Sequence, residues 1–132
     1  MCGIVGFTNY DGNMRKEEAK RVLTNMNSTL KRRGPDENNI YVKDDICIGH
    51  SRLIVIDPEG GKQPMICKYL GNTYVITYNG QIYNTKELRK TLEQSGFTFE
   101  GHSDTEVLLK AFIYYGYNVV NHLNGIFAFA IW

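Results

Sequence analysis

The chain has no apolar run near the ~20 residues that a bilayer-spanning helix requires, and its N-terminus lacks the basic-then-apolar pattern of a signal peptide. These absences argue against a membrane partner and make a cytoplasmic location the expectation. There is no surplus of one charge: 15 basic and 14 acidic residues leave a formal charge of +1. Neither a nucleic-acid footprint nor a funnel for acidic substrates follows from such a balance. Cysteine is scarce. Cys2, Cys47 and Cys67 form an odd set without a C-x-x-C pair, which argues against a disulfide framework and a zinc ribbon. No metal site is expected, because Cys47, His50, Cys67 and His102 fall at spacings that match no usual zinc pattern. Cys47 and Cys67 sit among apolar, strand-like neighbours and read as buried, inert thiols. Repeats, low-complexity tracts and linkers are also missing.

What is present suffices for one compact core: 132 residues, 42% hydrophobic and 12% aromatic, are expected to form a single domain over 1–132. Strands are predicted at Ile4 to Thr8, Ile40 to Lys43, Ile46 to His50, Leu53 to Ile56, Tyr74 to Tyr78, Phe97 to Glu100 and Phe127 to Ile131. A helix is predicted over Glu17 to Leu30, where Ala19, Val22, Leu23, Met26 and Leu30 recur at helical spacing. A second runs from Thr85 to Gln94 with Asn84 as N-cap and Gly96 beyond its end. A third follows Ser103, whose S-D-T-E is a capping box, and extends to Gly116. D-P-E-G-G-K-Q-P, at 57 to 64, signals a turn. Strand clusters separated by few helices predict a layered α+β fold, a sandwich of sheets covered by helices.

Chemistry concentrates at a few polar positions within apolar stretches. M-C-G-I-V-G places Cys2 directly after the initiator methionine. Removing Met1 would put an α-amine and a thiol on one residue, and α-amines, with an ordinary pKa of about 7.7–8.0, are partly neutral near physiological pH. Such an amine can take the thiol's proton and later deliver it to a leaving group, without a histidine. The bland reading is an accidental cysteine at a frayed terminus. In R-R-G-P-D, Arg33 and Asp36 read as residues that tie a rigid turn. In H-S-R-L-I-V-I-D, Arg52 opens an apolar strand, and a guanidinium there needs a carboxylate, either an acid of the chain or a ligand. In Y-N-G-Q-I-Y-N, Asn79 and Gly80 form either a hairpin turn or, through a side-chain amide and a backbone N–H, an oxyanion hole. Asp104, at the first turn of its helix, serves the helix dipole or holds an ammonium group.

Taken in order, M-C-G-I-V-G, R-G-P-D, H-S-R-L-I-V-I-D, N-G-Q-I-Y-N, S-D-T-E and L-N-G-I-F-A-F-A make the chain resemble, over its whole length, the glutaminase domain of class II glutamine amidotransferases. R-G-P-D and the I-Y-N ending bring it nearest the asparagine synthetase B branch. The resemblance implies an αββα N-terminal nucleophile hydrolase sandwich. It also implies that Cys2 attacks the side-chain amide of glutamine, giving glutamate and ammonia through a thioester. Asn79 and Gly80 would hold the oxyanion, Arg52 the substrate α-carboxylate and Asp104 its α-ammonium, with Leu53 to Val55 lining the pocket.

Two departures from the family pattern stand out. Gln81 replaces the glutamate of N-G-E-I-Y-N and removes a negative charge near the substrate ammonium. The family domain also continues past F-A-F-A-I-W, so an incomplete sheet is expected, whose open edges invite pairing into a homodimer. The resemblance implies no cofactor for these residues, and ATP and magnesium for a C-terminal synthetase domain that would receive the ammonia. A silent glutamine-binding or docking module, or the glutaminase of another amidotransferase, are the other functions weighed.

Overall fold

The computed structural model describes residues 1–43, 45–55 and 57–132. Two three-stranded antiparallel sheets lie face to face. The first has the order β1 (Gly3–Thr8), β3 (Ile46–Arg52), β2 (Glu37–Lys43), and the second the order β4 (Met65–Tyr69), β5 (Asn72–Ile82), β6 (Gly125–Ile131). Helix α1 (Lys16–Ser28) covers the outer face of the first sheet through Ala19 and Leu23, which pack on Cys47 and Val5. Helices α2 (Thr85–Gln94) and α3 (Asp104–Tyr115) cover the second sheet, with Leu88, Leu92, Val107, Leu108 and Leu109 meeting Ile76, Tyr78 and Ile82. Between the sheets, Ile46 and Ile48 pack on Val75, and Thr77 donates to the carbonyl of Gly49 at 3.2 Å. The layers therefore run α, β, β, α, and the expected α+β sandwich is found.

Strand β3 is buried at every position because α1 covers one side and β5 the other. The expected strand at Leu53 to Ile56 does not form over its described part, Leu53 to Val55. The N–H of Leu53 goes to the sulfur of Cys2 and that of Ile54 to the carboxylate of Asp36, so neither can enter a ladder; Ile56 lies outside the described residues. Nor do Phe97 to Glu100 form a strand, since the N–H groups of Glu100 and Gly101 are bound by the carboxylate of Glu106, both at 2.9 Å. That carboxylate is thereby diverted from the capping box: Ser103 does accept from the N–H of Glu106, but Glu106 does not reciprocate. Asn84 stands at the N-cap position without capping; its amide instead bonds the backbone of His122 and Asn124. Strand β4 is an addition to the sequence reading.

Candidate active site

The antiparallel register of β1 on β3 sets Gly3 opposite Ser51, which carries Cys2 to the end of β3 beside Arg52 and Leu53. The N–H of Leu53 donates to Cys2 Sγ at 3.4 Å, and the thiol reaches the carbonyl of Leu53 at 3.6 Å. Arg33 and Asp36 do not tie their own turn to itself, as the sequence reading had it. Arg33 Nε instead donates to the Cys2 carbonyl at 3.1 Å, and Asp36 accepts from Ile54 N–H at 2.8 Å. Gly34 between them lies so close to the backbone of Ser51 and Arg52 that no Cβ fits. The R-G-P-D turn is thus a clasp that holds the Cys2 backbone and the Leu53–Val55 segment.

Arg52 closes β3 rather than opening a strand, and it is only 4% exposed. Its guanidinium meets Glu37 Oε2 at 3.1 Å and the carbonyls of Pro58 at 2.9 Å and Asp57 at 2.7 Å. An acid of the chain therefore does pair with it. Asp57, in the left-handed region at φ 49°, accepts from Gly60 N–H and His102 N–H, both at 2.8 Å. The bond from His102 comes first among the causes that lower its carboxyl pKa, followed by that from Gly60.

Asn79 and Gly80 are not a hairpin turn. Strand β5 continues through them to Ile82 and pairs with β6, Gly80 lying opposite Phe127. A Cβ at Gly80 would collide with the carbonyl of Ile126, so only glycine allows this approach of the two strands. Asp104 begins α3, and its Oδ2 accepts from the Tyr78 hydroxyl at 2.7 Å and from Ile82 N–H at 3.4 Å.

Cys2, Arg52, Leu53, Val55, Asn79, Gly80, Gln81 and Asp104 all line one cavity of about 450 Å³. The residues to which the resemblance gives a role at the site are therefore brought to one place, while Arg33 and Asp36 lie outside the cavity's lining. Met1 lines it as well and, while attached, turns the nitrogen of Cys2 into a non-basic amide. Residues missed in the sequence complete the walls, among them Gln63 and Tyr78. Buried Gln63 accepts from Tyr78 N–H at 2.6 Å and donates to Thr105 Oγ1 at 3.3 Å. Burial, then the bond to Asp104 and its charge, push the Tyr78 phenol far above its ordinary range, so it is a hydroxyl at every working pH. Behind it, His50 bonds the Tyr78 carbonyl through Nε2 at 3.0 Å, and burial lowers its pKa to about 4. Burial raises the Cys47 and Cys67 thiols, but only Cys47 is buried as expected; Cys67, on the edge strand β4, is half-buried. Among the described residues no group of three or more His, Cys, Asp or Glu could hold a metal ion.

Known proteins resemble the chain in sequence and in fold. The profile of the family described as the glutamine amidotransferase domain matches residues 1–132. The chain is 49% identical to asparagine synthetase [glutamine-hydrolyzing] 3 of Bacillus subtilis (strain 168), an alignment that covers 100% of this chain and 21% of that protein. It is 39% identical to asparagine synthetase [glutamine-hydrolyzing] 1 of Arabidopsis thaliana, over 99% of this chain and 21% of that one. The chain thus spans about a fifth of the length of these curated relatives. Among solved structures, the allosteric regulatory enzyme of purine biosynthesis superposes with a TM-score of 0.73 at 22% identity, covering 100% of this chain and 35% of that one. Glutamine phosphoribosylpyrophosphate amidotransferase from B. subtilis gives 0.71 at 22% identity, over 99% and 34%. The fold is shared with these two solved structures, and the chain belongs to the glutamine amidotransferase domain family.

Proposed function

We propose that this domain hydrolyses glutamine to glutamate and ammonia, with Cys2 as nucleophile once Met1 is removed. The observation that carries the reading is the single cavity that gathers Cys2, Asn79, Gly80, Arg52 and Asp104. In it the freed α-amine of Cys2 takes the thiol proton, and the sulfur attacks the side-chain amide carbon of glutamine. Asn79 and Gly80 donate to the oxyanion, an interaction whose loss typically costs about 10²- to 10³-fold in rate. The C–N bond breaks as the amine returns its proton to the departing ammonia. A water, deprotonated by the same amine, opens the thioester, releasing glutamate and the thiol. Arg52 supplies positive charge for the substrate α-carboxylate, Asp104 holds the α-ammonium, and Leu53, Val55 and Gln81 complete the pocket.

The whole protein, on this reading, is a glutamine-hydrolysing asparagine synthetase whose C-terminal synthetase domain receives the ammonia and works with ATP and magnesium. The free thiols of this chain suit the reducing cytoplasm. Glutamate release by the purified protein, with intact mass to establish the loss of Met1, tests the proposal. Turnover that vanishes in Cys2→Ala supports it. No turnover from a protein beginning at Cys2 refutes it.

A further inference from the structure

The carboxylate of Asp104 is oriented by two donors that converge on one oxygen. The Tyr78 hydroxyl and the Ile82 N–H both go to Oδ2, and among the described residues nothing bonds Oδ1. Tyr78 is itself held at every polar atom: its N–H by Gln63, its carbonyl by His50 and its hydroxyl by Asp104. Gln63 closes a ring by reaching Thr105, the residue next to Asp104. The ring locks the start of α3 to the middle of β5.

Resting on the glutaminase reading, we propose that Tyr78 is a positioning residue that holds Asp104 by Oδ2 so that Oδ1 faces the substrate's α-ammonium. A carboxylate free to rotate would spend part of its time with neither oxygen aimed at the ligand, and its capture of an ammonium would weaken. The phenol can only donate here, since it does not ionise in the working range, so its effect is constant with pH.

The test compares Tyr78→Phe with the parent for glutamine turnover, and repeats the comparison in a Cys2→Ala background for glutamine binding by calorimetry. Removing one hydrogen bond to a charged group predicts a KM and a Kd raised about tenfold, with kcat within about twofold. A glutamine analogue with hydrogen in place of the α-ammonium is the control, because Asp104 has nothing to hold in it. Its hydrolysis should be unchanged by the substitution. An equal loss for glutamine and the analogue, or no loss for either, overturns the positioning role while leaving the glutaminase reading intact. Absence of both turnover and glutamine binding in the parent overturns the glutaminase reading and this inference with it.

Discussion

Replacing His50 by Gln isolates the contribution of one buried ring to the acid stability of the domain. His50 is 1% exposed, its Nε2 sits 3.0 Å from the Tyr78 carbonyl, and among the described residues Nδ1 has no partner. Burial disfavours the charged ring, and the Arg52 charge adds to it, so the pKa falls from 6.5 to about 4 although the bond to the Tyr78 carbonyl opposes the shift. Above pH 6.5 the ring is neutral whether the chain is folded or unfolded, and stability does not depend on it. Between 6.5 and 4 only the unfolded chain takes up the proton, so stability is lost as pH falls, at about 1.4 kcal/mol per unit. Below 4 both states are protonated and the loss stops growing. The whole window amounts to about 3 kcal/mol.

Carboxylates also titrate in this range, but they are shared by the two proteins and cancel in the difference. His50→Gln keeps an amide able to reach the Tyr78 carbonyl and cannot take up a proton. Urea unfolding followed by circular dichroism from pH 7.5 to 4 should show the stability difference moving about 3 kcal/mol in favour of the variant, relative to its value at pH 7.5. Parallel curves across the window would refute the assignment of a buried ring that stays neutral in the folded chain.

Gly80→Ala should destabilise the fold by about 1–3 kcal/mol in chemical denaturation, because the added methyl meets the backbone of Ile126 and Phe127; unchanged stability would count against the close approach of β5 and β6. Gln81→Glu restores a negative charge beside the proposed ammonium site and should modestly lower the KM for glutamine, whereas an unchanged KM would remove Gln81 from the binding account. Glu37→Ala takes the carboxylate from Arg52, whose side chain is 5% exposed against 23% for Glu37. A stability loss of about 1–2 kcal/mol is expected, between the values for exposed and fully buried pairs, and thermal unfolding of the variant measures it.

Helix α2 was legible from Thr85 to Gln94 because Asn84 and Gly96 punctuate its two ends, although Asn84 does not cap it. Where the sequence misled, backbone donors were being used by side chains far away in the chain. F-T-F-E alternates like a strand, yet Phe97 and Phe99 pack on the core, Arg89 lies 4.2 Å over the Phe99 ring, and Glu106 takes the N–H groups that follow. The edge strand β4 was overlooked because only Met65 and Cys67 pack against the core, leaving Ile66 half exposed. Of the residues that line the cavity, Cys2, Arg52, Asn79, Gly80 and Asp104 were legible as candidates from the local motifs that carry them. Gln63 and Tyr78 were not, since their significance lies in contacts to residues as much as 42 positions away.

Arg52 posed a choice in the sequence between a structural ion pair and a ligand for a substrate carboxylate, and the geometry makes the first a condition of the second. Glu37, Pro58 and Asp57 fix the guanidinium fork before anything binds. An arginine side chain carries about 2 kcal/mol of rotamer entropy, and here folding has already spent it, so a ligand need not freeze the group again. Glu37 pairs with the guanidinium, and Arg52 lines the cavity. Gly61 stands so close to Nη2 that a Cβ there would displace the fork. The turn at 57–64, which carries no catalytic chemistry of its own, thereby sets the aim of the residue proposed to receive the substrate carboxylate.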